Sequence, residues 1–356
     1  MGDATHFFLG ANSGCGFQSV FEPFCRAEYH KDLLVLKGGP GCGKSTMMKR
    51  IGEAMEMRGE QVEYLHCSGD PDSLDGVSIP SIGVAVVDGT APHVIEPRYP
   101  AAVDRYVDLG RCYDISALKS RREDVIRHSE NCSNAYRAAY RALSAARKLE
   151  ENASSLALQA LDRSKLYRRA EGIAEREIKG KGCGDTDRFR FLGSLTCEGA
   201  VWRFDSVESL CQRVYHLHDS WGGAEEMLRV IHKSAGDRRY GCILCPDPEH
   251  TDRLHHLLIP ELGIAFVTVR ENMECSYSPF RRIHVDAMID RDHLKRWRGK
   301  LKFMRNMIAC LRGEGVKLLK EAKAEHDALE QVYRPHVDFL LADEVIEQEI
   351  SRFASY

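Results

Sequence analysis

A chain of 356 residues with 50 Lys+Arg against 53 Asp+Glu carries a formal net charge of −3, and 43% of it is hydrophobic. The length suits two domains at about 150 residues each, and the apolar content excludes wholesale disorder. No apolar run approaches the roughly 18 residues of a membrane span, and the first six residues, Met1 to His6, lack the basic region and apolar core of a secretion signal. Thirteen scattered cysteines, an odd number, argue against a disulfide scaffold and for a reducing, cytoplasmic location with no membrane partner.

The first informative element is Leu33-Leu34-Val35-Leu36, a short apolar run of the kind that forms a buried strand. It leads into Gly38-Gly39-Pro40-Gly41-Cys42-Gly43-Lys44-Ser45, and a helical stretch follows from Thr46 to Arg58. This is G-x-x-x-x-G-K-S in a strand–loop–helix setting, the pattern of a P-loop. Glycines let backbone N–H groups close round phosphates, and the helix start adds unpaired donors and partial positive charge. Gly38 through Thr46 are therefore expected to bind ATP. Lys44 would reach the β- and γ-phosphates, and Ser45 would ligate Mg²⁺.

Residues 61–67 alternate in polarity, and Gly83–Val87 is a second apolar run, ending at Asp88-Gly89. A carboxylate at the end of such a strand is the Walker B arrangement, so Asp88 is expected to hold Mg²⁺ and to serve the reaction with Lys44. No acidic residue follows Asp88 directly. The catalytic base is expected to be Asp75 or His93, on loops that follow strands, where ligands bind in open α/β sheets.

Residues 116–181 contain no proline and are rich in helix formers. Leu118, Val125, Cys132, Ala139 and Ala146 recur every seven residues, with Ala135, Ala142 and Leu149 three further on. That is a narrow small-residue seam suited to close packing against another helix. The tract reads as an antiparallel hairpin turning near 150–153, or as one continuous helix, and it ends at Gly180, Gly182 and Gly184. It holds 15 Lys+Arg against 9 Asp+Glu, and residues 281–322 hold 12 against 5. Such basic helices are either solvated faces or contacts for nucleic acid phosphates.

The chain also repeats itself. Ile79-Pro80-Ser81-Ile82-Gly83-Val84-Ala85-Val86-Val87 is matched 180 residues later by Ile259-Pro260-Glu261-Leu262-Gly263-Ile264-Ala265-Phe266-Val267. Cys67 with Asp70-Pro71 is matched by Cys245 with Asp247-Pro248, and Phe8-Leu9-Gly10 by Phe191-Leu192-Gly193. The expected fold is α/β: tandem P-loop NTPase-type parallel-sheet domains, 1–184 and 185–356, paired as an internal pseudo-dimer. Each would carry a long helical extension, at about 116–181 and 291–334. Along the 180-residue offset Lys44 faces Ala224, Ser45 faces Glu225, Asp88 faces Thr268, Asp75 faces His255 and His93 faces Met273. Glu225 would put negative charge where a phosphate belongs, so one ATP per chain is expected, in the first half. The second half would act as a partner that covers the first site or lends it an arginine, with Arg229, Arg238 and Arg239 as candidates. Cys242-x-x-Cys245 beside His250, His255 and His256 has zinc-like spacing, but strand residues three apart face opposite sides, and ordinary buried cysteines are expected.

Beyond the loop itself, His6-Phe7-Phe8-x-Gly10-Ala11-Asn12, the run from His66 to Gly76, Asp88-Gly89-Thr90-Ala91-Pro92-His93 and Ala322-Lys323-x-x-His326-Asp327-x-Leu329-Glu330 complete a combination. It resembles an uncharacterised family of bacterial P-loop ATPases built from two tandem P-loop domains. The likeness spans nearly the whole chain and implies binding of Mg-ATP and its hydrolysis. In that family both halves usually carry a P-loop, and this chain departs from it at His218–Glu225. The leading expectation is ATP hydrolysis coupled to movement or assembly. The alternatives are a small-molecule or nucleotide kinase, and an ATP-dependent switch acting on nucleic acid through the basic helices.

Overall fold

The computed structural model describes residues 4–184, 186–270, 273, 275 and 277–356. The first half runs β1 (Thr5–Phe8), β2 (Gly10–Ser13), β3 (Gly16–Ser19), α1 (Phe21–Phe24), β4 (Asp32–Lys37), α2 (Lys44–Met57), β5 (Glu63–His66), β6 (Leu74–Ile79), β7 (Val84–Asp88), β8 (Asp104–Asp108), α3 (Ile115–Ser120), α4 (Arg122–Leu158) and α5 (Arg163–Glu177). The second runs β9 (Arg188–Phe189), β10 (Gly193–Thr196), β11 (Gly199–Trp202), α6 (Asp205–Leu210), β12 (Arg213–His218), α7 (Ala224–Asp237), β13 (Ile243–Pro246), β14 (Leu254–Ile259), β15 (Ile264–Val269), β16 (Arg281–His284), α8 (Arg291–Tyr333) and α9 (Phe339–Phe353).

Two six-stranded sheets result, ordered β1-β5-β6-β7-β4-β8 and β9-β13-β14-β15-β12-β16, so the two halves share one topology. The sheets are mixed, which corrects the expectation of parallel ones. β6 is antiparallel to both β5 and β7, and β14 to both β13 and β15. The cause is connection length. The links 67–73 and 80–83 are shorter than the dozen or so residues that a parallel crossover needs.

β4 alternates between two cores. Leu34 and Leu36 pack with Met47, Met48 and Ile51 of α2, while Leu33 and Val35 join Phe7, Phe8 and Phe21 in a core shared with Val214, Ala265 and Val267 of the second sheet. The halves therefore face each other across common apolar material. At their junction Phe8 and Phe191, a matched pair in the repeat, exchange backbone hydrogen bonds of 2.8 Å in both directions.

The long helices α4 and α8 lie along each other. Their contact uses the small-residue seam: Ala139 and Leu143 pack with Leu319, and a Cβ on Gly315 would come within 2.6 Å of Leu143 Cδ2. α4 passes straight through 150–153, so no hairpin turns there. The chain turns after Leu158, and Asp162 caps α5 by accepting from Lys165 N at 2.9 Å. α5 then packs on the second half, where Leu166, Ala170 and Ile173 share a core with Met227 and Ile231 of α7. Reciprocally, Val345, Ile346 and Phe353 of α9 join Met47, Ile51 and Met55 in the first half. Each sheet is thus covered by the terminal helix of the other half. Backbone bonds fix both crossings symmetrically: Asp114 N to His336 O and Asp338 N to Cys112 O, against Asp290 N to Ala160 O and Asp162 N to Met288 O. None of the described helices is long and apolar enough to cross a membrane.

Candidate functional site

β4 delivers the glycine-rich loop to the start of α2. Gly41 and Gly43 have φ of 70° and 93°, in the left-handed region where a side chain costs energy. Gly43 is the N-cap of α2 and supplies no side-chain acceptor, so the first N–H groups of the helix lack that partner. Lys44 folds back over the loop, its Nζ donating to Gly38 O at 2.7 Å and Gly39 O at 3.0 Å. Cys42 points inward and is buried. Burial raises its thiol pKa, although Lys44 opposes the shift. Gly38, Gly39 and Pro40 are half-buried, and Thr46 is exposed.

β7 is the strand next to β4, and Leu36 pairs with Asp88 in register. The Asp88 carboxylate is oriented by its neighbour: Oδ1 accepts from Thr90 N at 2.8 Å and Thr90 Oγ1 at 2.6 Å. Oδ2 lies 3.6 Å from Lys44 Nζ. Ser45 stands on the first turn of α2, its Oγ accepting from Leu74 N at 3.0 Å. A hydroxyl oxygen keeps a second lone pair, so the bond leaves capacity for a cation.

Asp75 and His93 come together beside these groups. His93 follows β7 on a loop, as expected; Asp75 lies within β6, not on a loop. His93 Nδ1 donates to Asp88 O at 2.9 Å, which turns Nε2 toward Asp75 Oδ2 at 3.7 Å. Phe21 stacks on the imidazole at 4.4 Å between centroids. Burial works to lower the His93 pKa, but Asp75, facing the ring at 3.7 Å, and the charge of Asp88 carry it above its ordinary value. Asp75 Oδ2 is buried without a hydrogen-bond partner. Lys44, Ser45, Asp75, Asp88 and His93 therefore form one constellation.

Three neighbours of the loop were not expected from the sequence. Tyr113, just past β8, donates from Oη to Pro40 O at 2.9 Å. The end of α8 roofs the loop: a Cβ on Gly41 would lie 3.5 Å from Glu330 O and 3.9 Å from Arg334 Cβ. Arg334, exposed and one residue past α8, is thus an arginine of the second half whose Cβ stands beside this loop. The candidates on and beside α7 lie elsewhere. Arg229 is paired with Glu225 at 2.6 Å, and Arg238 and Arg239 sit at the far end of α7 beside Gly182. Only the resemblance around Glu330 pointed to this end of α8.

The second half closes the same place from within. Its loop, 219–223, is one residue shorter than 38–43, so a uniform offset misaligns the two. Asp219, 3% exposed, turns its carboxylate into the loop. Oδ1 accepts from Trp221 N and Gly222 N at 3.0 Å each, and Oδ2 from Ala224 N at 2.7 Å. Asp286 takes Ser220 N and Oγ. The anion in this loop is therefore Asp219, and Glu225 instead lies on the surface of α7 against Arg229. Beyond it, Arg270 is held among Asp247 and Glu150, and Arg312 bonds Glu150 at 2.5 Å. Cys242 and Cys245 belong to cores on opposite faces, so the zinc-like spacing does not converge. Among the described residues no cysteine forms a disulfide.

Comparison with protein-family models, curated proteins and solved structures found no match for this chain.

Proposed function

We propose that this protein is a Mg-ATP-dependent P-loop ATPase with a single nucleotide site, in its first half, acting in the cytoplasm. The observation that carries the proposal is the contrast between two equivalent loops. One is glycine-lined, ends at an uncapped helix start and carries Lys44 and Asp88 at 3.6 Å. The other has filled its donors with Asp219.

In this reading Lys44 leaves the carbonyls of Gly38 and Gly39 for the β- and γ-phosphates. Ser45 and Asp88 would hold Mg²⁺, which would supply charge neutralisation at the phosphates. Asp75, whose Oδ2 faces His93 Nε2 at 3.7 Å without a hydrogen bond, would accept the proton of the attacking water, and His93, anchored on the Asp88 backbone, lies against that carboxylate. Because Glu330 of α8 and Arg334 just past its end lie against Gly41, a change in the loop reaches the α4–α8 pair directly. That contact gives hydrolysis a route to movement or assembly.

A kinase reading keeps one observation in its favour. A cavity of about 310 Å³, lined by Phe21, Cys25, His93 and Asp104 among others, opens beside the constellation and has room for a small acceptor. Product analysis separates the two. The ATPase reading expects free phosphate from Mg-ATP without an acceptor, and its loss in Lys44→Ala. Asp75→Asn should reduce the rate by about 10²–10⁴, the usual worth of a general base. Phosphate recovered only on an added acceptor would replace hydrolysis by transfer.

A further inference from the structure

The inference concerns the far end of the nucleotide and rests on the proposed P-loop reading. A groove of about 400 Å³, within the ordinary range for ligand sites, runs beside the loop between α3, the start of α4 and the end of α8. Tyr113, Ile115, Leu118, Ile126 and Tyr333 line it, with Arg122 at its edge. Its apolar side chains are open to solvent: Ile115 is 64% exposed and Ile126 37%. Exposed aliphatic residues gathered beside two aromatic rings mark a surface that something flat and apolar covers.

Three features identify the occupant. First, the groove is continuous with the loop through one residue, since Tyr113 lines it and also donates to Pro40 O at 2.9 Å. Second, the strand order gives the site a direction. β4 lies between β7, which carries Asp88, and β8, which leads to Tyr113. A nucleotide whose terminal phosphates meet Lys44 and Asp88 on the β7 side has its other end on the β8 side, where the groove opens. Third, the second half shows what happens where no nucleotide is held. There Leu161 pairs with Ile289, as Val337 does with Tyr113, and both are buried. Leu158 and Leu161 also reach within 3.3 and 3.5 Å of a Cβ on Gly223, on the side that Glu330 and Arg334 roof in the first half.

We infer that the groove lined by Tyr113 and Tyr333 binds the base of the nucleotide whose phosphates the glycine-rich loop holds. The rings of Tyr113 and Tyr333 lie 5.3 Å apart at 50°. At that separation they pack on each other with no room for a base between them, so the base would stack on a ring face that lines the groove, a contact open to every nucleobase. The aliphatic wall covers the rest of the base. Tyr333 belongs to α8, so the site is complete only when the second half's helix is seated on the first. Base binding would then clamp α8 in the position from which Glu330 and Arg334 roof the loop.

The test compares Mg-ATP with Mg-tripolyphosphate, which has the phosphates and no base, by calorimetric titration of the full chain. The unchanged protein should bind ATP more tightly than tripolyphosphate. Tyr333→Ala should weaken ATP about tenfold or more, the scale of one lost stacking contact, and leave tripolyphosphate unchanged. Tyr333→Phe keeps the ring and should bind both as the parent does. Ile115→Ser changes a residue that is mostly exposed, so the fold survives, and should also weaken ATP selectively. Equal affinities for ATP and tripolyphosphate in the parent would overturn the base site while leaving the phosphate loop standing. A Tyr333→Ala loss shared equally by both ligands would show a structural role and also overturn it. Binding of neither ligand to the parent would instead remove the P-loop reading beneath it.

Discussion

Removing the Asp219 carboxylate should cost the second half much of its loop. In the folded protein that group takes three backbone N–H donors at 2.7–3.0 Å, from Trp221, Gly222 and Ala224, at the start of α7. It is 3% exposed, and Trp221 and Ala224 are buried with it, so those two donors lie out of reach of bulk water. An orphaned buried donor costs about 1–3 kcal/mol, and loss of a capping side chain about 0.5–2 kcal/mol. Water admitted to the vacated space would recover part of that, so Asp219→Ala should destabilise by about 2–4 kcal/mol. At roughly 2–4 °C per kcal/mol for a unit of this size, Tm should fall by about 5–15 °C. Asp219→Asn keeps one acceptor oxygen and should lose less. Thermal unfolding of the full chain reads the effect. A second reading comes from anions: sulfate or phosphate should raise the Tm of Asp219→Ala more than that of the parent, because only the variant has donors to offer. A fall in Tm of less than about 2 °C, or identical anion effects on both proteins, would refute the view that the carboxylate fills this cradle.

Other outcomes follow from the exchanged helices and the charged groups. Residues 1–184 alone keep α5 without the sheet it covers and lose α9, whose Val345, Ile346 and Phe353 are buried on the first sheet. At about 1.5–3 kcal/mol each, that loss rivals the whole stability of a domain; neither 1–184 nor 185–356 should melt cooperatively alone, and mixing the two should restore a cooperative transition. The His93 pKa lies above its ordinary value in the folded protein, so its contribution to stability is full below about pH 6.5 and is lost as pH rises through the folded value. Relative to His93→Ala, the parent's advantage in denaturant titrations should therefore shrink between slightly acidic and mildly alkaline pH; an advantage that grows with pH would contradict the Asp75 contact. On α8, Lys295, Arg296, Arg298 and Lys302 are exposed. If that face holds duplex DNA, affinity should fall with salt at a log–log slope near −0.9 per neutralised phosphate, and reversing the four to Glu should flatten it; absence of binding by the parent at low salt would remove this partner.

The loop and its flanks were legible because local chemistry wrote them. Leu33–Leu36 is apolar at every position, the glycines follow at once, and Lys44 opens a helix. The repeat was legible too, and it anticipated the shared strand order. β6 was harder to see. Leu74-Asp75-Gly76-Val77-Ser78-Ile79 reads as a polar, broken segment, yet every residue of it is buried, because Asp75 faces the constellation and Ser78 the interior. Without β6 the sheet reads as parallel. The exchange of α5 and α9 was invisible for a different reason. Periodicity tells which face of a helix is buried but not against which sheet, and the two sheets offer the same kind of surface. Asp219 escaped notice because a one-residue deletion in its loop breaks the constant offset, leaving Glu225 as the apparent acid. Tyr113 and Arg334 reach the loop only through tertiary structure, from a strand end and from the far end of a 43-residue helix.

The claim that this chain holds one nucleotide, on Lys44 and not on the Asp219 loop, is tested most directly by calorimetric titration of the full chain with a non-hydrolysable Mg-ATP analogue. The account predicts a stoichiometry near one for the parent and for Asp219→Asn, and no measurable heat for Lys44→Ala. Two equivalent sites, or binding that survives Lys44→Ala undiminished, would contradict it.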